Sequence, residues 1–421
     1  MKTRAVRLYG KEDLRLEEFE LPPLEEDEIL AEVVSDSLCM SSYKAAKQGV
    51  EHKRVPKDLA TNPTIIGHEF CGRILEVGAK WRSRFKEGSK FAIQPALNYR
   101  GSLAAPGYSY RAIGGDATYV IIPNEVMECG CLLEYRGRGF FPASLSEPMS
   151  CIIGAFRASY HTRPGDYTHQ MGIREAGSMA LLAAAGPMGL GFIDYALHGP
   201  RQPSLLVVTD IDEARLERAA SLFSAKEAEG RGVKLRFVDT RALAGVEKHL
   251  MSLSEGRGYD DVFVLAPVKQ VVESGDRILG RDGCLNFFAG PTDAAFRAEV
   301  NFYNVHYAAS HLVGTSGGNT EDMVEALELM AAGRINPSFM ITHVGGLNAV
   351  RDTTLHLPEI PGGKKLIYTH LELELAALDD FEARGRGDPL FRELAAITAR
   401  HGGLWSLEAE ECLLSKARKA G

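Results

Sequence analysis

The sequence contains no C-x-x-C pair, although it has seven cysteines: Cys39, Cys71, Cys129, Cys131, Cys151, Cys284 and Cys412. That absence excludes a four-cysteine zinc knuckle. The odd count and irregular spacing exclude a closed disulfide framework, so reduced thiols are expected. No apolar run approaches the roughly 20 residues that span a bilayer, and no cationic stretch leads an apolar run at the N-terminus. No membrane association is expected, and the cytoplasm is the expected location. Positive charge is in deficit, with 48 Lys and Arg against 56 Asp and Glu for a net charge of −8. Nucleic acid and anionic lipid are therefore poor candidates for partners. Internal repeats and low-complexity tracts are also missing. The 421 residues, 45% hydrophobic and 25% charged, suit an ordinary globular chain of two or three domains, each able to bury a full core.

The first third reads as β-rich. Strand-like runs at 4–9, 28–35, 72–77, 90–94 and 118–123 are punctuated by Gly78, Gly88 and Gly114–Gly115. The texture changes after Glu147. A helix is expected over 148–160, then a polar stretch over 161–178. An apolar strand at 179–184 runs through a glycine turn into a helix at 190–197. Strands at 205–209, 233–238, 260–265 and 284–289 then alternate with helices at 213–222 and 268–279. That alternation implies βαβ units and a parallel sheet covered on both faces. A helix at 321–332 and a mixed segment to Tyr368 follow. Two amphipathic helices, at 389–400 and 406–418, end the chain.

The sharpest local signal is "MALLAAAGPMGLGFIDYAL", an apolar strand that enters a helix through a tight turn. A pyrophosphate needs close backbone approach and free N–H groups at a helix N-terminus. Gly186, Pro187, Met188 and Gly189 would serve those needs, although Ala184 stands where the first glycine of G-x-G-x-x-G belongs. Asp210 ends the next strand, where an acid would hold the adenosine ribose and repel a 2′-phosphate. This favours NAD(H) over NADP(H). The plain alternative is that Asp210 caps the helix that begins near Glu213.

Three positions suggest metal chemistry: Cys39 in "SLCMSS", His68–Glu69 in "TIIGHEF" and Glu147 in "LSEPMS". Thiolate, imidazole and carboxylate form a borderline-soft set that suits Zn²⁺. Each residue also has an ordinary reading: apolar filler for Cys39, a structural hydrogen-bonder for His68, a helix-terminus complement for Glu147. The order Cys, Gly-His-Glu, Glu-Pro before a helix, then the glycine turn, resembles zinc-containing medium-chain alcohol dehydrogenases across about residues 1–370. "GGDATYVIIP" and "DIDEARLERA" agree with it.

The resemblance implies an α/β chain with a GroES-like β-rich catalytic domain and a doubly wound Rossmann domain. The expected boundaries are 1–156 catalytic, 157–315 Rossmann, 316–370 a return to the catalytic domain, and 371–421 a helical extension. It implies Cys39, His68 and Glu147 as zinc ligands. Glu69 would be an alternating ligand or a supporting partner, and Ser41 the first group of a proton relay. It also implies NAD(H), with NADP(H) the alternative, and a homo-oligomer, either dimer or tetramer.

Longer strings, among them "VVSDSLCMSSYKAAKQG", "GCLNFFAGP" and "LPEIPGGKKLIYT", resemble a sugar-phosphate branch of that family. That branch implies reduction of a ketose phosphate to a polyol phosphate, L-sorbose 1-phosphate to D-glucitol 6-phosphate. An unphosphorylated polyol or secondary alcohol is the alternative substrate. Lys44, Lys47, Lys53, Arg54, Lys364 and Lys365 are candidate phosphate clamps.

The chain departs from the family pattern in three places. Residues 94–116, where many relatives hold a second, structural zinc, contain no cysteine, so one zinc is expected and Tyr99, Tyr108 and Tyr110 are expected to pack that lobe. The interval from Cys39 to His68 is long and includes the basic run "QGVEHKRVPKDLATN". The chain also continues past Tyr368, where relatives commonly end. Two competing readings remain: a zinc-free quinone-reductase-like enzyme on the same fold, and a non-catalytic nucleotide-binding protein.

Overall fold

The computed structural model describes residues 1–419. It divides into two compact units. One comprises Met1–Glu147, Asn319–Gly333 and Met340–Gly421; the other comprises Pro148–Gly318 and Arg334–Phe339.

The first unit is built on a mixed sheet. Its strands run in the order Ala376–Ala377, Ile341–Gly346, Lys364–Tyr368, Ile29–Leu38, Phe70–Val77, Lys90–Ile93 and Leu132–Glu134, with Tyr119–Ile122 also paired to Ile29–Leu38. A smaller sheet joins Asp13–Glu20, Lys2–Gly10 and Thr64–Ile65. Strand Ile29–Leu38 shows how sequence places the site. Ile29, Ala31 and Val33 alternate into a core with Phe70, Ile74, Phe91 and Val120, as a half-buried strand should. The alternation then stops, and Ser35, Asp36 and Ser37 are fully buried polar residues. Buried polar groups need partners, and these lead directly to Cys39.

The tail beyond Tyr368 packs on this same unit. Trp405, 1% exposed, donates its indole N–H to the Tyr368 hydroxyl at 2.9 Å. Helices Pro389–Arg400 and Leu407–Lys416 bury Phe391, Leu394, Cys412 and Leu413. Both fall within one residue of their expected starts; the second ends two residues early, at Lys416.

The second unit contains six parallel strands in the order Lys234–Asp239, Leu205–Asp210, Ser178–Leu182, Tyr259–Val264, Leu279–Phe287 and His311–Gly314. The chain enters at a central strand, winds outward, returns and winds outward the other way. This doubly wound order places a ligand site at the carboxyl ends of the two central strands. Helix Pro187–His198 is buried from Gly189 to Leu197 and is mostly apolar round its circumference; its acid, Asp194, is paired with His198 Nδ1 at 2.7 Å. The polar stretch after residue 160 forms a hairpin, Tyr160–Arg163 against Asp166–Met171. Its second strand is wholly exposed, so no apolar periodicity marks it. Among the described residues, no helix is long and apolar enough to cross a membrane.

Candidate active site

Cys39, His68 and Glu69 offer a sulfur, a ring nitrogen and a carboxylate oxygen that lie within 4.8 Å of one another. Cys39 follows strand Ile29–Leu38 and precedes helix Met40–Gln48. His68 and Glu69 immediately precede strand Phe70–Val77, which pairs with Ile29–Leu38. Two adjacent strands thus deliver the three donors. A thiol, an imidazole and a carboxylate this close fit a borderline-soft divalent ion.

His68 is 4% exposed and held on both sides, its Nδ1 3.2 Å from Ser42 Oγ and its Nε2 3.2 Å from the Tyr108 hydroxyl. Burial lowers its pKa to about 4, so the ring is neutral at physiological pH. A ring that gives its Nδ1 proton to Ser42 has Nε2 accept from the Tyr108 hydroxyl, and that same lone pair is the one a metal would use in its place. Burial pushes the Cys39 thiol up to about 12, with the Lys364 ammonium opposing the shift. Without a metal, Cys39 therefore keeps its proton.

Glu69 has further partners. Its carboxylate accepts from Lys364 Nζ at 2.5 and 2.6 Å and from Ser37 Oγ at 2.6 Å. Glu147, in the first turn of helix Ser146–Ala158, lies outside the 4.8 Å group. Its charge nonetheless acts on Cys39, Tyr108 and Lys364. Ser41 shares a side-chain hydrogen bond with Tyr108.

Beneath the cluster lies a buried acid pair, Asp36 and Asp116. Burial raises both carboxyls well above the usual range, and their mutual charge raises Asp36 further. Two buried carboxyls in contact share a proton instead of both ionising. Asp36 Oδ1 accepts from the Glu69 N–H at 3.2 Å, so the pair steadies the backbone of the donor strand. This explains the glycine of Gly-His-Glu. Gly67 has φ +88°, and a Cβ there would meet the Asp116 backbone at 2.7 Å.

Tyr108 was expected to pack the cysteine-free lobe, and it does so beside Ala105 and Leu59. It also reaches the donor cluster through its hydroxyl, a contact that no local motif signals. Tyr99 and Tyr110 pack more peripherally against the other core.

In the second unit, Gly186 caps helix Pro187–His198, and a Cβ at Gly186 would meet nothing within 4 Å. That open space at a helix N-terminus is where a pyrophosphate can approach. Gly186, Pro187 and Met188 are all partly exposed. Gly189 does something else: a Cβ there would stand 1.8 Å from the Ala184 carbonyl oxygen. Its role is close helix–strand packing. The left-handed residue of the turn is Ala183, at φ 56°, so the turn forms without the first glycine, at a cost of about 1 kcal/mol.

Asp210 is not the helix cap; Asp212 is, accepting from Arg215 N–H at 3.2 Å. Asp210 instead accepts from Ala185, Ile211 and Asp212 N–H groups at 2.9, 2.8 and 3.1 Å. It ties the glycine turn to the end of the neighbouring strand.

Comparison with known proteins agrees with this geometry. Residues 25–129 match the alcohol dehydrogenase GroES-like domain. A mannitol-1-phosphate 5-dehydrogenase of Aliivibrio fischeri is 53% identical over 413 residues, 98% of this chain and 97% of its own. An L-sorbose 1-phosphate reductase of Klebsiella pneumoniae is 51% identical over 415 residues, 99% and 98% of the two chains. The solved 2R,3R-butanediol dehydrogenase of Bacillus subtilis superposes with a TM-score of 0.70 over 87% of this chain and 99% of its own, at 19% identity. At that identity the likeness shows the fold alone.

Proposed function

The chain belongs to the zinc-containing medium-chain alcohol dehydrogenases, and we propose that within that family it interconverts a ketose phosphate and a polyol phosphate with NAD(H) as the redox partner. The carrying observation is the convergence of Cys39, His68 and Glu69 within 4.8 Å, with Glu147 acting electrostatically on Cys39. The sugar-phosphate activities for which the relatives at 53% and 51% identity are named support the sugar-phosphate class.

In this reading Cys39, His68 and Glu147 hold one Zn²⁺. Glu69 stands behind them, its charge balanced by Lys364. Bound zinc supplies Lewis acidity at the substrate oxygen, and bound nicotinamide supplies or accepts hydride. Ser42 orients His68, and the neutral imidazole leaves its lone pair available. Ser41 moves the proton to or from the substrate oxygen, with Tyr108 as its hydrogen-bond partner. Met188 and its neighbours at the open helix terminus bind pyrophosphate. Asp210 binds the adenosine ribose and disfavours a 2′-phosphate. Among the described residues none of the seven cysteines is in a disulfide, which suits a reducing, cytoplasmic setting.

Oligomerisation is part of the same proposal. The edge strand His311–Gly314 carries Leu312, 56% exposed, beside Phe302 at 77% and Tyr307 at 61%. An uncovered parallel-sheet edge rimmed with large apolar groups favours association.

The test is NADH oxidation against L-sorbose 1-phosphate and L-sorbose, and NAD⁺ reduction against mannitol 1-phosphate and mannitol. Turnover of the phosphate esters with at least about tenfold preference supports the reading. Turnover of free polyols alone contradicts it.

A further inference from the structure

Six cations are candidates for a phosphate clamp near the donor cluster, and the structure sorts them. Lys364 is engaged by Glu69. Lys365 donates to the carbonyls of Ile360, Pro361 and Gly363 at 3.1, 3.0 and 2.8 Å. Lys47 pairs with Glu12, and Lys44 is engaged by neighbouring groups. Lys53 is exposed.

Arg54 differs from all of these. It lies on the insertion that lengthens the interval between Cys39 and His68. The loop is anchored there: Ser109 Oγ donates to the Arg54 carbonyl at 2.6 Å, and Arg54 N–H donates to His52 Nδ1 at 3.3 Å. The adjacent Val55 is 5% exposed and packs in a core with Leu59. From this fixed base the guanidinium reaches 5.7 Å from the centre of the Tyr108 ring. Tyr108 in turn stands 4.8 Å, ring to ring, from His68. His52 stacks on Tyr108 at 5.7 Å and 10°. Arg54 is half-buried, yet among the described residues no carboxylate lies within ion-pair distance of it. A partly desolvated guanidinium without a counter-ion is a standing cost that a bound anion offsets. Its charge already reaches the site, opposing protonation of His52 and His68.

We infer that Arg54 holds the phosphate of a ketose 1-phosphate substrate, an assignment that rests on the ketose-phosphate reading above. In a ketose 1-phosphate, the carbon bearing the ester is bonded to the carbonyl carbon. The anion must therefore lie within a few ångströms of the oxygen that reacts at the cluster. A planar guanidinium meets a phosphate through two parallel hydrogen bonds, whereas an ammonium offers only a point charge. Tyr108 links the two ends of the substrate site, with its hydroxyl at His68 and its ring beneath Arg54.

The test compares Arg54→Ala and Arg54→Lys with wild type on L-sorbose 1-phosphate and on L-sorbose, using the zinc-loaded enzyme. The readout is the ratio of kcat/KM for the phosphate ester to that for the free sugar. R54A lowers this ratio about 30- to 100-fold, mainly through KM for the ester, and R54K falls between R54A and wild type. Inorganic phosphate competes with L-sorbose 1-phosphate in wild type and loses potency in R54A. Equal losses on both substrates would assign Arg54 to positioning Tyr108 and overturn the inference, as would an unchanged ratio. A wild type that turns over the ester, joined to an unchanged R54A ratio, removes only this assignment. A wild type that turns over free sugars alone removes the substrate reading, and this inference with it.

Discussion

Lys364 Nζ donates to both carboxylate oxygens of Glu69, at 2.5 and 2.6 Å, with the lysine 9% exposed and the glutamate 1%. The two residues are 295 positions apart in sequence, and the pair joins the Gly-His-Glu corner to strand Lys364–Tyr368. From sequence alone, Glu69 reads as an alternating ligand or a supporting partner, and Lys364 as a candidate phosphate clamp. In the structure the two form a buried ion pair beside Cys39 and His68.

Breaking one partner should cost more than removing both. Lys364→Met leaves a buried carboxylate with the Ser37 hydroxyl as its remaining side-chain donor, and is expected to destabilise the first unit by about 3–5 kcal/mol. The double variant Lys364→Met, Glu69→Gln should recover most of that. Urea unfolding of the four proteins gives the coupling. Additive losses below about 1 kcal/mol would contradict the pairing.

Metal uptake should be proton-linked through one group. Burial holds the Cys39 thiol up at about 12 and the His68 imidazole down at about 4. At neutral pH the metal-free site therefore carries a proton on sulfur and none on the ring. Binding zinc as thiolate releases that proton, so apparent affinity should rise about tenfold per pH unit across neutrality. Calorimetry in buffers of different ionisation enthalpy counts the proton, and Cys39→Ser should abolish the release. A pH-independent affinity would argue against thiolate ligation.

The two glycines of the dinucleotide turn should behave oppositely. Gly186→Ala has room for its methyl, so Tm should hold while Kd for NADH rises by about tenfold or more, because the methyl enters the pyrophosphate space. Gly189→Ala forces a methyl against the Ala184 carbonyl, so folding should suffer first. Tm and NADH fluorescence titration separate the two. Equal behaviour of the variants would contradict the division of roles.

The tail should buttress the approach to Glu147. Glu410, 1% exposed, accepts from the Phe140 and Phe141 N–H groups at 2.7 and 2.8 Å and from the Tyr368 hydroxyl at 2.9 Å. It thereby fixes helix Phe141–Ser144, the element just before the helix that carries Glu147. Glu410→Ala strands three donors and is expected to cost about 3 kcal/mol, with a matching loss of zinc affinity. Denaturation together with a chelator competition measures both. A stable variant with unaltered zinc affinity would make the tail a passive addition.

Much of this architecture is legible in the sequence, and the exceptions share a cause. Helices Glu213–Leu222 and Pro389–Arg400 match their expected bounds because periodicity and caps are local signals. The Rossmann strands are legible because burial on both faces makes them continuous apolar runs. The exposed strand Asp166–Met171 and the four-residue edge strand His311–Gly314 escape notice because neither has a buried face to impose an apolar alternation. His311 belongs to that edge strand and bonds Asp282 at 2.8 Å. In the site, Cys39 and His68–Glu69 are visible as motifs. Lys364, Tyr108 and Glu410 are not, since each acts through contacts that only the folded chain creates.

The most direct measurement is metal content and cobalt(II) absorption of wild type and Cys39→Ser. Wild type should bind about one zinc per chain, and its cobalt form should show thiolate-to-metal charge transfer. C39S should lose that band, most of the metal and the activity together. A C39S protein that retains full metal stoichiometry and full turnover would contradict the account.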